Sequence, residues 1–384
     1  MYPTISHLIY DLFGVNIPLP IQTFGFWVAI AFLAAAWTIT MELKRKESEG
    51  FLSSFNVKEM TGEKLSIQDI VSGLIVGFLL GFKGAEALFH YGDLVANPQD
   101  FMLSTRGNLL GGLMTAGISI YLKWNENQKT RLAEPKEINK TVHPFELVGN
   151  MTMIAAISGI IGAKIFHNLE NLDTFLADPI GQLLSFSGLT FYGGLIAGAI
   201  SVIWYTKKYH INTKHLIDST APALMLAYGV GRIGCQMSGD GDWGIDNLSP
   251  KPEWMSFLPD WMWSYTFPHN VINAGIPIEG CTGRFCMELA NPVWPTAFYE
   301  VVMSITIFGI LWAIRKHIKV PGALFFIYLA FNGVERFFIE KMRINTEYNI
   351  LGGITQAEII SFCLILIGVV GCSILYRDNK KIIQ

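Results

Sequence analysis

Long apolar runs are the feature that most constrains how this chain of 384 residues can fold. A helix needs about 20 apolar residues to cross the ~30 Å hydrocarbon core of a bilayer. The runs are continuous rather than alternating, and backbone groups in lipid must be hydrogen-bonded within the segment, so helices are predicted rather than barrel strands. Nine segments qualify, covering residues 21–41, 69–91, 106–122, 146–166, 182–205, 217–238, 295–314, 321–339 and 355–376. The chain is therefore predicted to be an all-α polytopic membrane protein with about nine transmembrane helices in a single integral membrane domain.

The composition supports this class and argues against others. Hydrophobic residues make up 51% of the chain and charged residues only 15%, which is too apolar for an ordinary soluble domain. A net charge of -3 leaves no large cationic surface, so no nucleic acid is expected as a partner. The N-terminus lacks a basic stretch followed by a short apolar run and a small-residue cleavage site, so no cleavable signal peptide is predicted.

The distribution of Lys and Arg predicts the orientation of the chain in the membrane. Most of the 28 Lys and Arg residues lie in the C-terminal tail and in the loops after predicted spans one, three, five and seven. Loops rich in Lys and Arg stay in the cytoplasm. We therefore expect the N-terminus outside, the C-terminus in the cytoplasm and the long 239–294 loop on the outer, periplasmic side.

An internal repeat is visible in the second to fifth spans. It pairs Gly84–His90 with Gly162–His167, and Gly111–Gly117 with Gly193–Gly198, with an acidic loop between the two stretches of each copy. We interpret residues 57–144 as an inserted helical hairpin that duplicates residues 146–205. Chance similarity between Gly-rich membrane hairpins is the alternative. Inserting two helices leaves the orientation of the later spans unchanged.

Ionisable residues inside predicted spans are informative because each costs ~3 kcal/mol at the bilayer centre on insertion scales. Arg232 lies deep in a span that runs outward, and Arg336 and Glu340 lie near the outer end of another. Tyr299 and Glu300 begin a span that enters from outside. We therefore expect polar side chains that are distant in sequence to meet just below the outer surface.

The spacing of the arginines predicts a phosphate ligand. Arg336, Glu340 and Arg343 follow i, i+4 and i+7 spacing, which puts them on one helix face. A guanidinium matches phosphate oxygens, and the phosphate most available at this depth belongs to a phospholipid headgroup. Two alternatives are an arginine that lifts its guanidinium into the headgroups and, for Arg232, a buried structural ion pair.

Metal binding is not predicted. Asp240, Asp242 and Asp246 lack the bidentate Glu that ends a twelve-residue calcium loop. The five cysteines show no paired zinc-ligand spacing. In the outer loop, Cys281 and Cys286 either form a disulfide in an oxidising periplasm or remain two unpaired thiols.

Four blocks of the sequence carry a family pattern. They are Gly231–Gly244, Thr190–Leu195, Pro295–Glu300 and Arg336–Arg343. In that order they resemble the G-R-x-G-N-F-x-N-G-E-x-W-G signature, with one extra residue here, and the S-F-H-G-G-L, P-S-Q-L-Y-E and R-x-x-x-E-x-x-R motifs of the bacterial prolipoprotein diacylglyceryl transferase family. The resemblance covers the first span and about residues 145–376, and it leaves the 57–144 insertion outside.

The resemblance implies a seven-helix inner-membrane protein whose outer-facing cleft binds phosphatidylglycerol, so that the extra hairpin makes nine helices. It implies transfer of the diacylglyceryl group to the lipobox cysteine thiol of a preprolipoprotein, with release of glycerol phosphate, as the first step of lipoprotein maturation. The implied partners are phosphatidylglycerol, membrane lipid and the signal peptide of preprolipoproteins, and no cofactor or metal is implied. We expect a monomer in the bacterial cell inner membrane, with its active site facing the periplasm.

The resemblance also implies functions for individual residues. Arg232 would bind phosphatidylglycerol, and Arg336 would stabilise the departing phosphate while Glu340 orients Arg336 or Arg343. We assign Arg336, Glu340, Tyr192 and Asp240 to catalysis. To phosphatidylglycerol binding we assign Arg232, Arg343, Tyr299, Glu300, Gln236, Gly193 and Gly194.

Several positions differ from the family pattern. Tyr192 stands where the family has His, and a phenol with a reference pKa of ~10 is a weak base at neutral pH. We therefore expect Tyr192 to hydrogen-bond the headgroup or the thiol, and the base that deprotonates the thiol stays unassigned. Phe24, Lys164, Cys235 and Asp240 replace the family's tyrosine, arginine, asparagine and glutamate.

Two other functions stay open at this point. A lipid or anion transporter would suit the Gly-rich helices and the helical repeat. Two observations argue against a transporter. The two copies of the repeat are adjacent and have the same rather than the inverted topology, and the charges lie towards one face of the membrane rather than at its midplane. The other alternative is a structural scaffold that has lost activity through the substitutions.

Overall fold

The computed structural model describes residues 1–185, 188, 190–344, 347–348 and 353–383. In this part of the chain the α-helices are α1 (Ile5–Phe13), α2 (Thr23–Ser48), α3 (Ile67–Phe89), α4 (Tyr91–Ala96), α5 (Pro98–Leu103), α6 (Leu109–Thr130), α7 (Val148–Glu170), α8 (Leu172–Ala177), α9 (Pro179–Leu184), α10 (Phe191–Lys208), α11 (Thr213–Ser238), α12 (Thr296–Ile314), α13 (Ala323–Glu340) and α14 (Gln356–Ile383). The strands are β1 (Phe55–Thr61), β2 (Lys136–Val142), β3 (Ile276–Pro277), β4 (Met287–Glu288), β5 (Glu347–Tyr348) and β6 (Ile354–Thr355), which form three antiparallel pairs.

The long helices coincide with the predicted spans. Helices α2, α3, α6, α7, α10, α11, α12, α13 and α14 each overlap one predicted segment. Five stretches of the described chain are long and apolar enough to cross a membrane, namely Thr23–Ser48, Ile67–Phe89, Pro144–Glu170, Thr296–Ile314 and Gln356–Asn379. The prediction of a mostly helical, multi-pass membrane protein is confirmed.

The fifth predicted span begins later than expected. The apolar run predicts a helix from residue 182, whereas α10 starts at Phe191 and residues Pro179–Leu184 form the separate short helix α9. Gly188, between the two helices, has a left-handed φ of 70° that a continuous right-handed helix cannot contain. Hydropathy measures only how apolar a segment is, so it does not show where a residue with left-handed φ interrupts a helix.

Helix α11 lies at the centre of the bundle, where it packs against α2, α12 and α13. Ala221 and Met225 of α11 are fully buried against Leu311 of α12 and Leu324 of α13. Truncating a buried side chain of this size costs about 2–5 kcal/mol, so these contacts hold the three helices in register. The polar ends of α11, α12 and α13 are thereby brought together.

The structure shows two hairpins of the same design. Helices α3 to α6 follow the order long, short, short, long, and α7 to α10 follow it again. A Cβ on Gly81 would lie 2.3 Å from the Gly111 carbonyl oxygen, and a Cβ on Gly162 would lie 2.5 Å from that of Gly193. These glycines let each pair of long helices approach closely. The sequence comparison pairs Gly84 with Gly162, but a Cβ on Gly84 meets nothing within 4 Å, so the packing favours Gly81 as the counterpart.

A two-stranded ribbon joins the ends of the first hairpin. β1 pairs with β2 from Phe55 opposite Val142 to Thr61 opposite Lys136. The ribbon is not anticipated by the sequence analysis, and the predicted start of the insertion at residue 57 falls inside β1. Because the two strands pair at the base of the hairpin, α3 to α6 enter and leave the fold at one place.

The segment between α11 and α12 is a folded cap. Trp243, Phe267 and Val293 are buried together in it. Cys281 and Cys286 form a disulfide, which confirms that alternative for the two thiols. We call the end of the bundle covered by this cap the loop end.

Candidate functional site

The loop end gathers charged side chains from three helices. Arg232 lies in the last two turns of α11, which ends where Gly239 takes a left-handed φ of 65°. Glu300 lies in the first turns of α12, and Arg336 and Glu340 lie in the last turn of α13. Because these three helices pack together, residues from distant parts of the sequence meet at one level.

Glu300 is the centre of this group. It is fully buried, and its Oε1 accepts a hydrogen bond of 2.8 Å from the Tyr228 hydroxyl. Arg336 Nη1 lies 3.2 Å and Arg343 Nη1 lies 3.6 Å from the same oxygen. Arg232 Nε lies 2.9 Å from Oε2. Burying a carboxylate costs free energy unless it is well paired, and three guanidinium groups supply the pairing of Glu300.

Asp242 connects two of these arginines. Its Oδ2 contacts Arg232 Nη1 and its Oδ1 contacts Arg343 Nη2. The side chains of Arg232 and Arg343 are only 15% and 12% exposed, so both charges are largely removed from water. Burial lowers the pKa of Arg343, which follows α13, and the nearby charge of Glu300 opposes this shift. We call Arg232, Asp242, Glu300, Arg336 and Arg343 the loop-end cluster.

Two predicted catalytic residues border the cluster beside Arg336. Glu340 Oε2 lies 3.5 Å from Arg336 Nη2, as the i, i+4 spacing predicts. Tyr192, at the start of α10, is 37% exposed and lies close enough to Arg336 and Glu340 for their charges to act on its hydroxyl. Tyr192 is therefore a partly exposed side chain beside the arginine cluster.

Asp240 and Gln236 lie on the α11 side of the cluster. Asp240 Oδ1 accepts a bond of 3.3 Å from the backbone N–H of Asp242, which shapes the turn after α11. Gln236 is 9% exposed, and its Oε1 is buried without a hydrogen-bond partner. This acceptor is available to a hydroxyl group of a ligand.

Cys235, Asp240 and Asp242 place their ligand atoms within 4.8 Å of one another. Both oxygens of Asp242 contact arginines. A cation at this point would face two guanidinium charges at short range, which is electrostatically unfavourable. The contacts of Asp242 therefore do not favour a metal ion at this point.

Three residues predicted to bind lipid have other contacts in the structure. The Tyr299 hydroxyl donates a bond of 2.8 Å to the Met262 carbonyl and so ties α12 to the cap. A Cβ on Gly193 would lie 2.4 Å from Phe166 Cβ, and one on Gly194 would lie 3.0 Å from the Gly159 carbonyl oxygen. These contacts give the two glycines a function in helix packing, and lipid binding by them stays a prediction.

Two residues of the site escape the sequence analysis. Tyr228 lies one turn before Arg232 and stacks on it, with the guanidinium carbon 5.1 Å from the ring centroid. Glu335 is fully buried in α13, and neither of its carboxylate oxygens has a hydrogen-bond partner. The rule that ionisable residues inside predicted spans are costly applies to Glu335 as well, and this signal in the sequence could have found it.

The fold and the cluster together define a multi-pass helical membrane protein with three arginines gathered around a buried carboxylate at one end of its bundle. Residues 113–374 match the prolipoprotein diacylglyceryl transferase family. The chain therefore belongs to this family, which confirms the resemblance and the transferase class. The match begins at Leu113, inside the segment predicted to be an insertion.

Similar proteins named phosphatidylglycerol-prolipoprotein diacylglyceryl transferase come from several bacteria. That of Dehalococcoides mccartyi (strain ATCC BAA-2266 / KCTC 15142 / 195) is 26% identical over 239 residues, which cover 62% of this chain and 79% of the relative. That of Clostridium novyi (strain NT) is 29% identical over 239 residues, covering 62% and 81%. That of Clostridioides difficile (strain 630) is 28% identical over 234 residues, covering 60% and 79%. These relatives do not favour the transporter alternative.

Proposed function

We propose that this protein transfers the diacylglyceryl group of phosphatidylglycerol to the lipobox cysteine thiol of preprolipoproteins and releases glycerol phosphate. The observation that carries the proposal is the convergence of Arg232, Arg336 and Arg343 on the fully buried Glu300 in a member of this transferase family. Three guanidinium groups fixed by one carboxylate offer a preorganised set of donors for a phosphate.

The reaction is a displacement at a glyceryl carbon. The thiol gives up its proton to a base, the sulfur forms a bond to the carbon, and the bond from that carbon to the phosphate oxygen breaks. The electron pair leaves with glycerol phosphate, so negative charge grows on the leaving oxygen. Arg232 and Arg336 stabilise this charge more in the transition state than in the ground state, which accelerates the step.

The neighbouring side chains have positioning functions in this proposal. Glu300 and Glu340 hold Arg336 between them, so its guanidinium stays aimed at the phosphate. Tyr192 hydrogen-bonds the headgroup or the incoming thiol from the lipid side. Asp240 and Gln236 face the glycerol part of the headgroup, whose hydroxyls can donate to the unpartnered Gln236 Oε1.

The membrane topology that we propose has nine spans, the N-terminus outside and the C-terminus in the cytoplasm. It is supported by the asymmetry of Lys and Arg and by the nine long helices of the described chain. The loop end then faces the periplasm of the bacterial inner membrane, where a translocated signal peptide and lipid of the outer leaflet can both reach the arginines.

We also propose that residues 57–144 are an inserted copy of residues 146–205. The matching order of helices and the glycine contacts of Gly81 and Gly162 support a common origin. Lys83 and Lys164 each reach the segment before the second long helix of their hairpin, with Lys83 Nζ 3.2 Å from Ser104 Oγ and Lys164 Nζ 3.5 Å from Ser185 Oγ. This parallel supports the register set by Gly81 and Gly162.

The test of the proposed function is transfer of labelled diacylglyceryl from phosphatidylglycerol to a lipobox peptide by the purified full chain. Arg232→Ala should lower the rate about a hundredfold, since one stabilising donor is worth ~3 kcal/mol. Arg284→Ala is the matched control, because Arg284 lies in the cap and donates to the Ala96 carbonyl, away from the cluster. Equal transfer by wild type and Arg232→Ala, or none by folded wild type, would refute the proposal.

A further inference from the structure

Asp242 contacts two of the three arginines that the proposed function offers to a substrate phosphate. One carboxylate oxygen lies against Arg232 Nη1 and the other against Arg343 Nη2. A phosphate group presents two oxygens to two guanidinium groups in the same way. In this structure the phosphate-binding donors therefore face an acidic side chain of the protein itself.

The arginines need such an anion when no ligand is bound. Both side chains are largely buried, and a buried charge without a counter-ion costs several kcal/mol. Glu300 is already shared among three arginines, so it cannot neutralise all of them. Asp242 supplies the missing negative charge.

The backbone of Asp242 is fixed by hydrogen bonds within the cap and to the start of α12, whereas the contacts of its carboxylate are those with Arg232 and Arg343. Its carbonyl accepts a bond of 2.7 Å from Thr296 Oγ1, and the Gly244 N–H donates to the Trp294 carbonyl at 2.8 Å. The next residue, Trp243, is buried in the cap. The Asp242 side chain is 29% exposed, so rotation about χ1 can move it towards solvent without moving the loop.

We propose that the Asp242 carboxylate occupies the phosphate site when no substrate is bound. The substrate then binds by an exchange in which its phosphate displaces this carboxylate from the arginines. The inference rests on the proposed function, which puts a phosphate at these arginines. Asp242 lies between Gly239 and Trp243, where this chain has one residue more than the family signature.

Competition by Asp242 lowers the apparent affinity for phosphate. The apparent dissociation constant equals the intrinsic one divided by the fraction of molecules in which the carboxylate has swung out. If this fraction is ~10%, removing the negative charge tightens phosphate binding about tenfold.

The experiment compares Asp242→Asn with wild type by titrating inorganic phosphate and glycerol phosphate into the purified full chain, at constant ionic strength, while recording the thermal unfolding midpoint. Without phosphate the variant should unfold at a lower temperature. The phosphate concentration that gives half of the maximal rise in the unfolding midpoint should be about tenfold lower in the variant, because no carboxylate competes for the site. Asp246→Asn is the matched control, since Asp246 is exposed in the same loop and accepts a 2.7 Å bond from Asn291.

Equal or weaker phosphate binding by Asp242→Asn would overturn the exchange. If that variant does not fold, Asp242→Ser takes its place in the same titration, with the same two outcomes. Transfer kinetics show which molecule supplies the phosphate that displaces Asp242. A lower KM for phosphatidylglycerol in the variant identifies the lipid headgroup of the substrate. Tighter binding of glycerol phosphate at an unchanged KM identifies the released product. Either supports the exchange.

The phosphate titration does not depend on transferase activity. If folded wild type transfers nothing but Asp242→Asn binds phosphate more tightly, the proposed function fails and the exchange stands. If transfer proceeds and the variant binds phosphate no better than wild type, the exchange alone fails.

Discussion

Each end of the helix bundle holds a fully buried glutamate between arginines, and the two ends differ in how completely their polar groups are satisfied. At the end opposite the cap, Arg45 and Arg315 surround Glu42. Its Oε2 accepts bonds of 3.0 Å from Arg45 Nε and from Arg315 Nε, and its Oε1 contacts Arg45 Nη2. Both carboxylate oxygens are thus used within the protein.

The neighbouring pair at the same end is equally well satisfied. Lys46 Nζ donates to the His215 carbonyl at 2.8 Å and lies 3.8 Å from Asp218. Asp218 also accepts backbone N–H bonds from Gly322 at 2.7 Å and Phe325 at 3.1 Å. We call Glu42, Arg45, Lys46, Asp218 and Arg315 the opposite-end cluster.

At the loop end, some buried polar side-chain atoms have no hydrogen-bond partner. Among the described residues, the buried side-chain atoms at this end without a hydrogen bond include Gln236 Oε1 and both oxygens of Glu335. In the same described part, no such atom belongs to the opposite-end cluster. Buried polar groups in proteins are normally paired, so atoms without a partner at the loop end agree with the proposal that a ligand binds there. The opposite-end cluster pairs its charges within the protein.

Glu300→Gln should produce the largest effect. It removes the charge shared by three arginines, and breaking a buried ion pair costs ~3–5 kcal/mol of the free energy of unfolding. Misplaced arginines should also slow transfer at least about a hundredfold. The thermal unfolding midpoint and the transfer rate per folded molecule measure the two effects.

The matched change at the other end is Glu42→Gln. It should destabilise the protein to a similar extent, because Glu42 is shared by two arginines, but the surviving folded molecules should transfer diacylglyceryl normally. If folded Glu42→Gln protein transfers diacylglyceryl as slowly as Glu300→Gln, the opposite-end cluster is needed for catalysis as well as for stability, and the comparison fails.

Glu335→Met tests whether the leftover polar atoms cost stability. A buried polar group without a partner costs ~1–3 kcal/mol, so the apolar variant should be more stable than wild type by about this amount. We expect transfer to fall at the same time, because the carboxylate lies beside the arginine cluster. Denaturation in detergent and the transfer assay check the two halves, and a variant that is both less stable and fully active would contradict this account.

Tyr192→Phe should have a moderate effect on transfer only. Losing one hydrogen bond to the headgroup or thiol is worth ~1 kcal/mol, about a fivefold loss of rate. Tyr299→Phe is the matched control, since its hydroxyl bonds the Met262 carbonyl and should affect stability instead. Full transfer activity in Tyr192→Phe would remove Tyr192 from the mechanism.

The smallest expected effect concerns His143, which lies before α7 outside the membrane-spanning helices. Its Nδ1 lies 2.6 Å from Glu47 Oε1, and this hydrogen bond raises the pKa of His143. A raised folded pKa means that the contact stabilises fully below the unfolded value of ~6.5 and is lost as the pH rises through the folded pKa. His143→Gln should flatten the pH dependence of the unfolding midpoint in this window, and an unchanged dependence would contradict the assignment.

Much of the fold could be predicted because helix formation in a membrane depends on local apolar content. The nine runs locate the long helices, and the i, i+4 spacing of Arg336 and Glu340 predicts their contact. The prediction that Arg343 shares this helix face is wrong, because α13 ends at Glu340 and Arg343 lies in the segment after it. The break between α9 and α10 could not be predicted in this way, because it depends on the backbone of Gly188. The pairing of β1 with β2 brings together strands that are separated by a whole hairpin, and local pattern carries no information on such contacts.

The sequence by itself determined the class of protein, the positions of the long apolar helices and the presence of costly arginines within them, because hydropathy and charge act through each residue separately. Only the tertiary structure decided that Glu300 is the shared partner, that Asp242 bridges Arg232 and Arg343, and that Glu335 is buried without a partner. These contacts depend on which helices pack together. The free-energy cost of burying a charged side chain is set by the groups that replace water around it.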